Sequence, residues 1–78
     1  MEFQIRLSSV KDVQDFVSLA TSRTFPIAVG SSHHWVNGKS FMEMFCLDLR
    51  LPVQVRLEDC SREDFESFLR DAQPFLPK

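Results

Sequence analysis

The sequence predicts a two-layer α+β domain whose elements follow in the order β-α-β-β-α-β-α. Three observations carry this reading. Apolar and polar residues alternate over Glu2–Leu7 and again over Val53–Glu58, the period of a strand with one buried face. Between and after these runs the apolar residues recur at three- and four-residue spacing, over Val10–Ser22 and from Ser61 to Ala72, the period of an amphipathic helix. No repeat, linker or low-complexity stretch interrupts the 78 residues, so they read as one domain, 1–78, with one core.

In chain order, Phe3, Ile5 and Leu7 share one face of the first strand, with Gln4 and Arg6 on the other. Helix one carries Val10, Val13, Phe16, Val17 and Ala20 on its inner stripe, opened by Ser9 as N-cap with Asp12 at N3. Pro26 cannot continue that helix. Ile27–Val29 follows as a short second strand, Gly30-Ser31-Ser32 as a turn, and His33–Val36 as the returning third strand. Asn37-Gly38 is a strong turn dipeptide, read here as the end of a strand and the entry to a helix.

Ser40–Leu47 is predicted to be a short helix, with Phe41, Met44, Phe45 and Asp48 on one ridge and Met42 and Cys46 on another. A buried strand is the competing assignment, because a short apolar run fits both periods. Val53, Val55 and Leu57 make the clearest strand. Ser61 with Asp64 caps the last helix, Phe65, Phe68, Leu69 and Ala72 form its apolar stripe, and Pro74 stops it. Helices on one face of four strands leave the other face to alternating polar residues.

Composition narrows function by exclusion. With 44% hydrophobic residues, 8 Phe and only 2 Gly, the chain has the material for a packed core rather than for disorder. Its net charge of -2, with Lys and Arg scattered, lacks the basic footprint that nucleic acid or an anionic membrane demands. No apolar run approaches the ~20 residues of a membrane span. Met1-Glu2-Phe3-Gln4 has no signal-peptide character, so a cytoplasmic location is expected. Cys46 and Cys60 are then expected to be reduced, half-buried thiols.

The residues carry no recognisable catalytic constellation. There is no nucleophile elbow, no Cys beside a His and no glycine-rich phosphate loop. Most carboxylates stand at helix starts, where capping explains them. His33 and His34 are adjacent on a strand and point to opposite faces, so they do not ligate one ion together; one exposed and one partly packed histidine is expected, with no metal and no cofactor. A helix as short as Ser40–Leu47 cannot bury all its sides, so some of Phe41, Met42, Met44 and Phe45 should reach the surface as a protein contact.

That segment carries a resemblance. The run Val36-Asn37-Gly38-Lys39-Ser40-Phe41-Met42-Glu43-Met44-Phe45-Cys46-Leu47-Asp48-Leu49 resembles the segment around the regulatory serine of HPr-like proteins, where the pattern is close to V-D-A-K-S-I-M-G-I-F-S-L-D-L. Lys39-Ser40 matches the Lys-Ser of the pattern and Phe41-Met42 its apolar pair. The element order is also that of HPr. The resemblance implies an HPr-like open-faced sandwich, a four-stranded antiparallel sheet with three helices on one face. It also implies a link to the phosphoenolpyruvate-dependent sugar phosphotransferase system of bacteria, in which HPr carries phosphate on a histidine within a Gly-x-His-x-Arg-Pro type motif.

The chain departs from the family at that motif. Aligning Asp15-Phe16-Val17 with the family's first helix puts Ser9 in place of the histidine, Lys11 at the arginine and Asp12 at the proline, with a shortened loop. A phosphoserine ester lacks the transfer potential of a phosphoimidazole, and the Asp12 charge opposes an incoming phosphate. The chain is therefore expected to be neither an enzyme nor a phosphocarrier.

The resemblance also places Ser40 at the serine that HPr kinase phosphorylates in some bacteria, a form then read by a transcriptional regulator. Simple N-capping accounts for Ser40 equally well, and Glu43, standing where the family pattern has glycine, adds a negative charge that opposes phosphorylation. The expected working surface is Lys39, Ser40, Phe41, Met42 and Phe45, facing a protein partner of the kinase or regulator kind. Two other readings stay open: a phosphocarrier with an unusual acceptor, His33 or His34, and a small-ligand-binding domain unrelated to sugar transport.

Overall fold

A computed structural model of the chain describes residues 1–31 and 34–77. Four strands form one antiparallel sheet: β1 (Glu2–Ile5), β2 (Ile27–Ser31), β3 (His34–Asn37) and β4 (Val53–Leu57). Their spatial order is β1-β4-β2-β3. Three helices join them, α1 (Val10–Thr21), α2 (Phe41–Met44) and α3 (Arg62–Asp71), and a 3-10 turn, Gln73–Phe75, follows α3.

The alternation read in the sequence decides which face is covered. Ile5, Ile27, Val29, Val36, Val53, Val55 and Leu57 point into one core with Val13, Phe16, Ala20, Met44 and Phe68 of the helices and Ala72 just past α3. Burying these side chains supplies the main stabilising term, each large one contributing about 1.5–3 kcal/mol. On the opposite face stand Glu2, Gln4, Gln54, Arg56, Trp35 and Asn37, exposed or half-exposed. The expected open-faced α+β sandwich is thus the observed one.

Phenylalanine knits the core. The Phe68 ring meets those of Phe3, Phe16 and Phe25 at centroid distances of 6.0, 6.1 and 6.4 Å, and Phe16 also meets Phe75 at 5.8 Å. Arg23, just past α1, lays its guanidinium 5.7 Å over Phe68 and pairs with Asp71 at the end of α3.

Several boundaries differ from the sequence reading. Strand β1 ends at Ile5 rather than Leu7, although Leu7 is still buried. The reason is that β4 begins at Val53, opposite Ile5, so no strand lies beside Arg6 and Leu7; Arg6 N–H faces away from the ladder and donates to Phe75 C=O (2.7 Å). Gly30 and Ser31 belong to β2 rather than to a turn. Gly30 faces Trp35 across the pair, and a Cβ there would come within 2.8 Å of the indole. The indole thus fills the place of the missing side chain, as aromatic rings do beside strand glycines. The remainder of the expected turn, Ser32, and the first residue of the expected third strand, His33, lie outside the described residues.

Asn37 ends β3 and Gly38 opens the way to α2, as its dipeptide suggested. Gly38 does not adopt a positive φ. It is needed because its backbone closes on β2: its N–H donates to Ile27 C=O (2.8 Å), and a Cβ would lie 3.0 Å from methyl groups of Ile27 and Val29.

The second helix is one turn, Phe41–Met44, not Ser40–Leu47. After Met44 the bonds shorten to three-residue spacing, with Cys46 N–H on Glu43 C=O and Leu47 N–H on Met44 C=O. Met44 and Leu47 then enter the core together, which splits the expected Phe41–Met44–Phe45–Asp48 ridge. The last helix ends at Asp71, ahead of Pro74, which lies within the 3-10 turn.

Candidate docking site

Ser9 is extended (φ -152°, ψ 165°) and its hydroxyl accepts the Asp12 N–H at 3.1 Å, the N-cap the sequence called for. Asp12 reaches back one residue further than a capping box requires. Its carboxylate accepts both the N–H (3.0 Å) and the hydroxyl (2.9 Å) of Ser8. These bonds, the Ser8 backbone N–H first, hold the Asp12 carboxyl below its ordinary range. The position that the resemblance assigned to a phosphate-bearing histidine is therefore a self-satisfied helix cap, with an aspartate on the donors a phosphate would seek. Lys11, at the family's arginine position, is paired with Asp15 at 2.9 Å.

Ser40 opens α2 in the same manner. Its hydroxyl accepts Glu43 N–H at 3.3 Å, and the Glu43 carboxylate accepts Asn37 N–H at 3.4 Å. Lys39 Nζ donates to Arg23 C=O at 2.7 Å, so this ammonium ties the start of α2 to the end of α1.

The aromatic and methionine side chains divide as a one-turn helix must divide them. Met44 is fully buried, whereas Met42 is 83% exposed, Phe45 45% and Phe41 36%. The Phe41 and Phe45 rings meet edge to face at 4.8 Å and brace each other. Cys46, beside them, is exposed rather than half-buried; Cys60 is half-buried, and both thiols are free. Leu51 (62%) is exposed in the loop that follows.

The fold brings this segment to the start of α1, which sequence reasoning had treated separately. An open cleft of about 450 Å³ is bordered by Ser8, Ser9 and Val10 on one side and by Phe45, Leu49 and Arg50 on the other. Leu7 and Val13 form part of its lining. Val10 was expected on the inner stripe of α1 but is 57% exposed at this cleft, since the first turn of the helix overhangs the core. Arg50 closes on Asp48 through two bonds of 3.0 and 3.1 Å, lowering the Asp48 pKa. Val10 and the cleft are the parts of this surface that sequence reasoning missed. Val10 has helical-core spacing, and only the tertiary placement of α2 shows that its side stays open.

His34 is exposed on β3, while His33 lies outside the described residues. Among the described residues no group of three His, Cys, Asp or Glu side chains is placed to hold a metal ion. No described helix is long and apolar enough to cross a membrane.

Strand order and helix placement together define the HPr-like fold. Among solved structures the chain is similar to HPr-C-His from Thermoanaerobacter tengcongensis, with a TM-score of 0.74 and 23% sequence identity over 92% of this chain and 89% of that one. At this identity the likeness is one of fold. No family model matches the sequence, and no curated protein does.

Proposed function

We propose that this chain is a non-catalytic, HPr-like interaction domain that docks a protein partner through Phe41, Met42 and Phe45, with Val10 and Leu51 at the margins, and does not carry phosphate. The observation that carries this reading is the contrast within α2: one methionine is fully buried and its neighbour two residues away is 83% exposed. Core packing accounts for Met44. It does not account for Met42 standing in water beside a braced aromatic pair whose Phe45 borders the cleft at the start of α1, an arrangement that suits a protein contact. The absence of phosphocarrier chemistry is argued from the Ser9 cap and the Asp12 carboxylate that closes it. Ser40 is the residue a kinase would modify in this reading, by its match to the regulatory serine of the family. Lys39, matching the family's lysine, stands beside it. A kinase or a transcriptional regulator is the kind of partner implied, in the setting of bacterial sugar transport and in the cytoplasm.

The test is a capture experiment with immobilised wild-type protein and two variants, Met42→Asp and Ser40→Ala. Met42→Asp should lose the bound partner while keeping the wild-type circular dichroism and melting point. Retention of the partner by that variant would dismiss the patch as the docking surface. Incubation with an HPr kinase and ATP, read by intact mass, should add one phosphate to the wild type and none to Ser40→Ala. A wild type that gains no mass leaves Ser40 as a helix cap alone.

A further inference from the structure

The sheet has two edges, and they are not equally closed. In the ladder between β1 and β4, Glu2 faces Arg56, Phe3 faces Val55, Gln4 faces Gln54 and Ile5 faces Val53. Leu57 N–H donates to Met1 C=O, so the odd-numbered β1 residues exchange the bonds with β4, and the backbone groups of Glu2 and Gln4 point away from the sheet. On β3 the same reasoning, anchored by Gly38 N–H on Ile27 C=O, turns Trp35 and Asn37 outward. Asn37 is closed by α2: its N–H is taken by the Glu43 carboxylate and its C=O accepts Ser40 N–H. Among the described residues Trp35 is left open on β3, whereas on β1 two successive outward residues, Glu2 and Gln4, are left open. Arg6 N–H is taken by Phe75 C=O, but among the described residues no hydrogen bond uses the outward N–H or C=O of Glu2 or Gln4.

We infer that β1 is a pairing edge and that its occupant is a second copy of this chain, joined β1 to β1 antiparallel about a two-fold axis at Phe3. The choice of a second copy rests on self-complementarity. That axis sets Glu2 opposite Gln4 of the second copy, so the four free groups on each edge satisfy one another in two hydrogen-bonded pairs. The side chains agree with the backbone. On the open face the Glu2 carboxylate, held by Arg56 at 3.2 Å, meets the Gln4 amide of the other copy and no like charge. On the helix face the half-buried Phe3, which packs on Phe65 (5.9 Å) and Phe68 (6.0 Å), meets its own counterpart, joining the two aromatic cores. β1 also lacks the usual guards of an exposed edge, having no Pro and no Lys, and its one charge is already paired within the sheet. With four residues on each side the contact is small, so association belongs in the high-micromolar to millimolar range.

The test is sedimentation velocity across the low-micromolar to millimolar range, with two variants. The wild type should move from monomer towards dimer as concentration rises. Gln4→Pro removes one outward N–H and no bond to β4, so it should stay folded and monomeric throughout. Met42→Asp should dimerise as the wild type does, which separates this edge from the α2 patch. A wild type that remains monomeric at millimolar concentration overturns the inference. So does a dimer that survives Gln4→Pro in a correctly folded protein, or one abolished by Met42→Asp.

Discussion

Asp12 shows how one side chain stabilises an element from both sides of its cap. At N3 of α1 it stands by the positive end of the helix dipole, and it accepts two hydrogen bonds from Ser8 while Ser9 caps its own N–H. A carboxylate so served is harder to protonate in the folded chain than in the unfolded one. The folded state therefore binds fewer protons at acid pH, and stability rises with pH in that range. The contribution is complete above the ordinary carboxylate pKa and is lost as pH falls through the lowered one. Asp12→Asn should accordingly lower the melting temperature most at neutral pH and least at acid pH, which flattens the acid limb of a plot of melting temperature against pH. The Ser8 and Asp12 amide resonances should shift together in an acid titration of the wild type. An unchanged acid limb in the variant would show that other carboxylates govern acid unfolding. The Ser9–Asp12 cap was legible in the sequence because the spacing of a capping residue and an acid is local. The Ser8 bonds were not, since they depend on how the chain enters the helix.

At the scale of elements, most of the fold could be read from two periods. β1, α1, β4 and α3 each repeat one period long enough to fix both type and inner face, and Val13, Phe16, Val55 and Phe68 are buried as their spacing requires. α2 was harder, because one turn of helix leaves no period to count. Its register is set instead by Gly38 closing on β2, with Lys39 and Ser40 tethered beside it, which aims Met44 inward and Met42 outward. The proposed docking site was correspondingly half legible: the residues were named, but which of them faced water was a tertiary decision. The two methionines test that division directly. Met44→Ala should cost about 2–5 kcal/mol in chemical denaturation, the range for truncating a buried long side chain. Met42→Ala should stay within about 0.5 kcal/mol of the wild type, as exposed positions do. Equal losses would mean that Met42 packs in solution and would remove the main support for the docking patch.

For the whole molecule, the distribution of phenylalanine explains how 78 residues close a core under an open sheet. A domain of this size buries a limited share of its surface, so its stability depends heavily on a few large side chains. Phe68 occupies the centre of that arrangement, touching Phe3 of β1, Phe16 of α1 and Phe25 after α1. It is thus the residue through which α3, the edge strand and α1 stabilise one another. Phe68→Ala should cost about 3–5 kcal/mol, and the Phe3→Leu and Phe68→Leu variants should be less than additive in a double-mutant cycle, with a coupling of about 0.5–1.5 kcal/mol for an aromatic pair in contact. The pair Phe3→Leu with Phe75→Leu serves as the control: both rings belong to the same core, but they form no ring–ring pair with each other, each reaching the other only through Phe68 and Phe16. Their losses should add. Coupling of equal size in both cycles would mean that the core responds as a uniform apolar volume, and the aromatic network would then carry no stability beyond the area it buries.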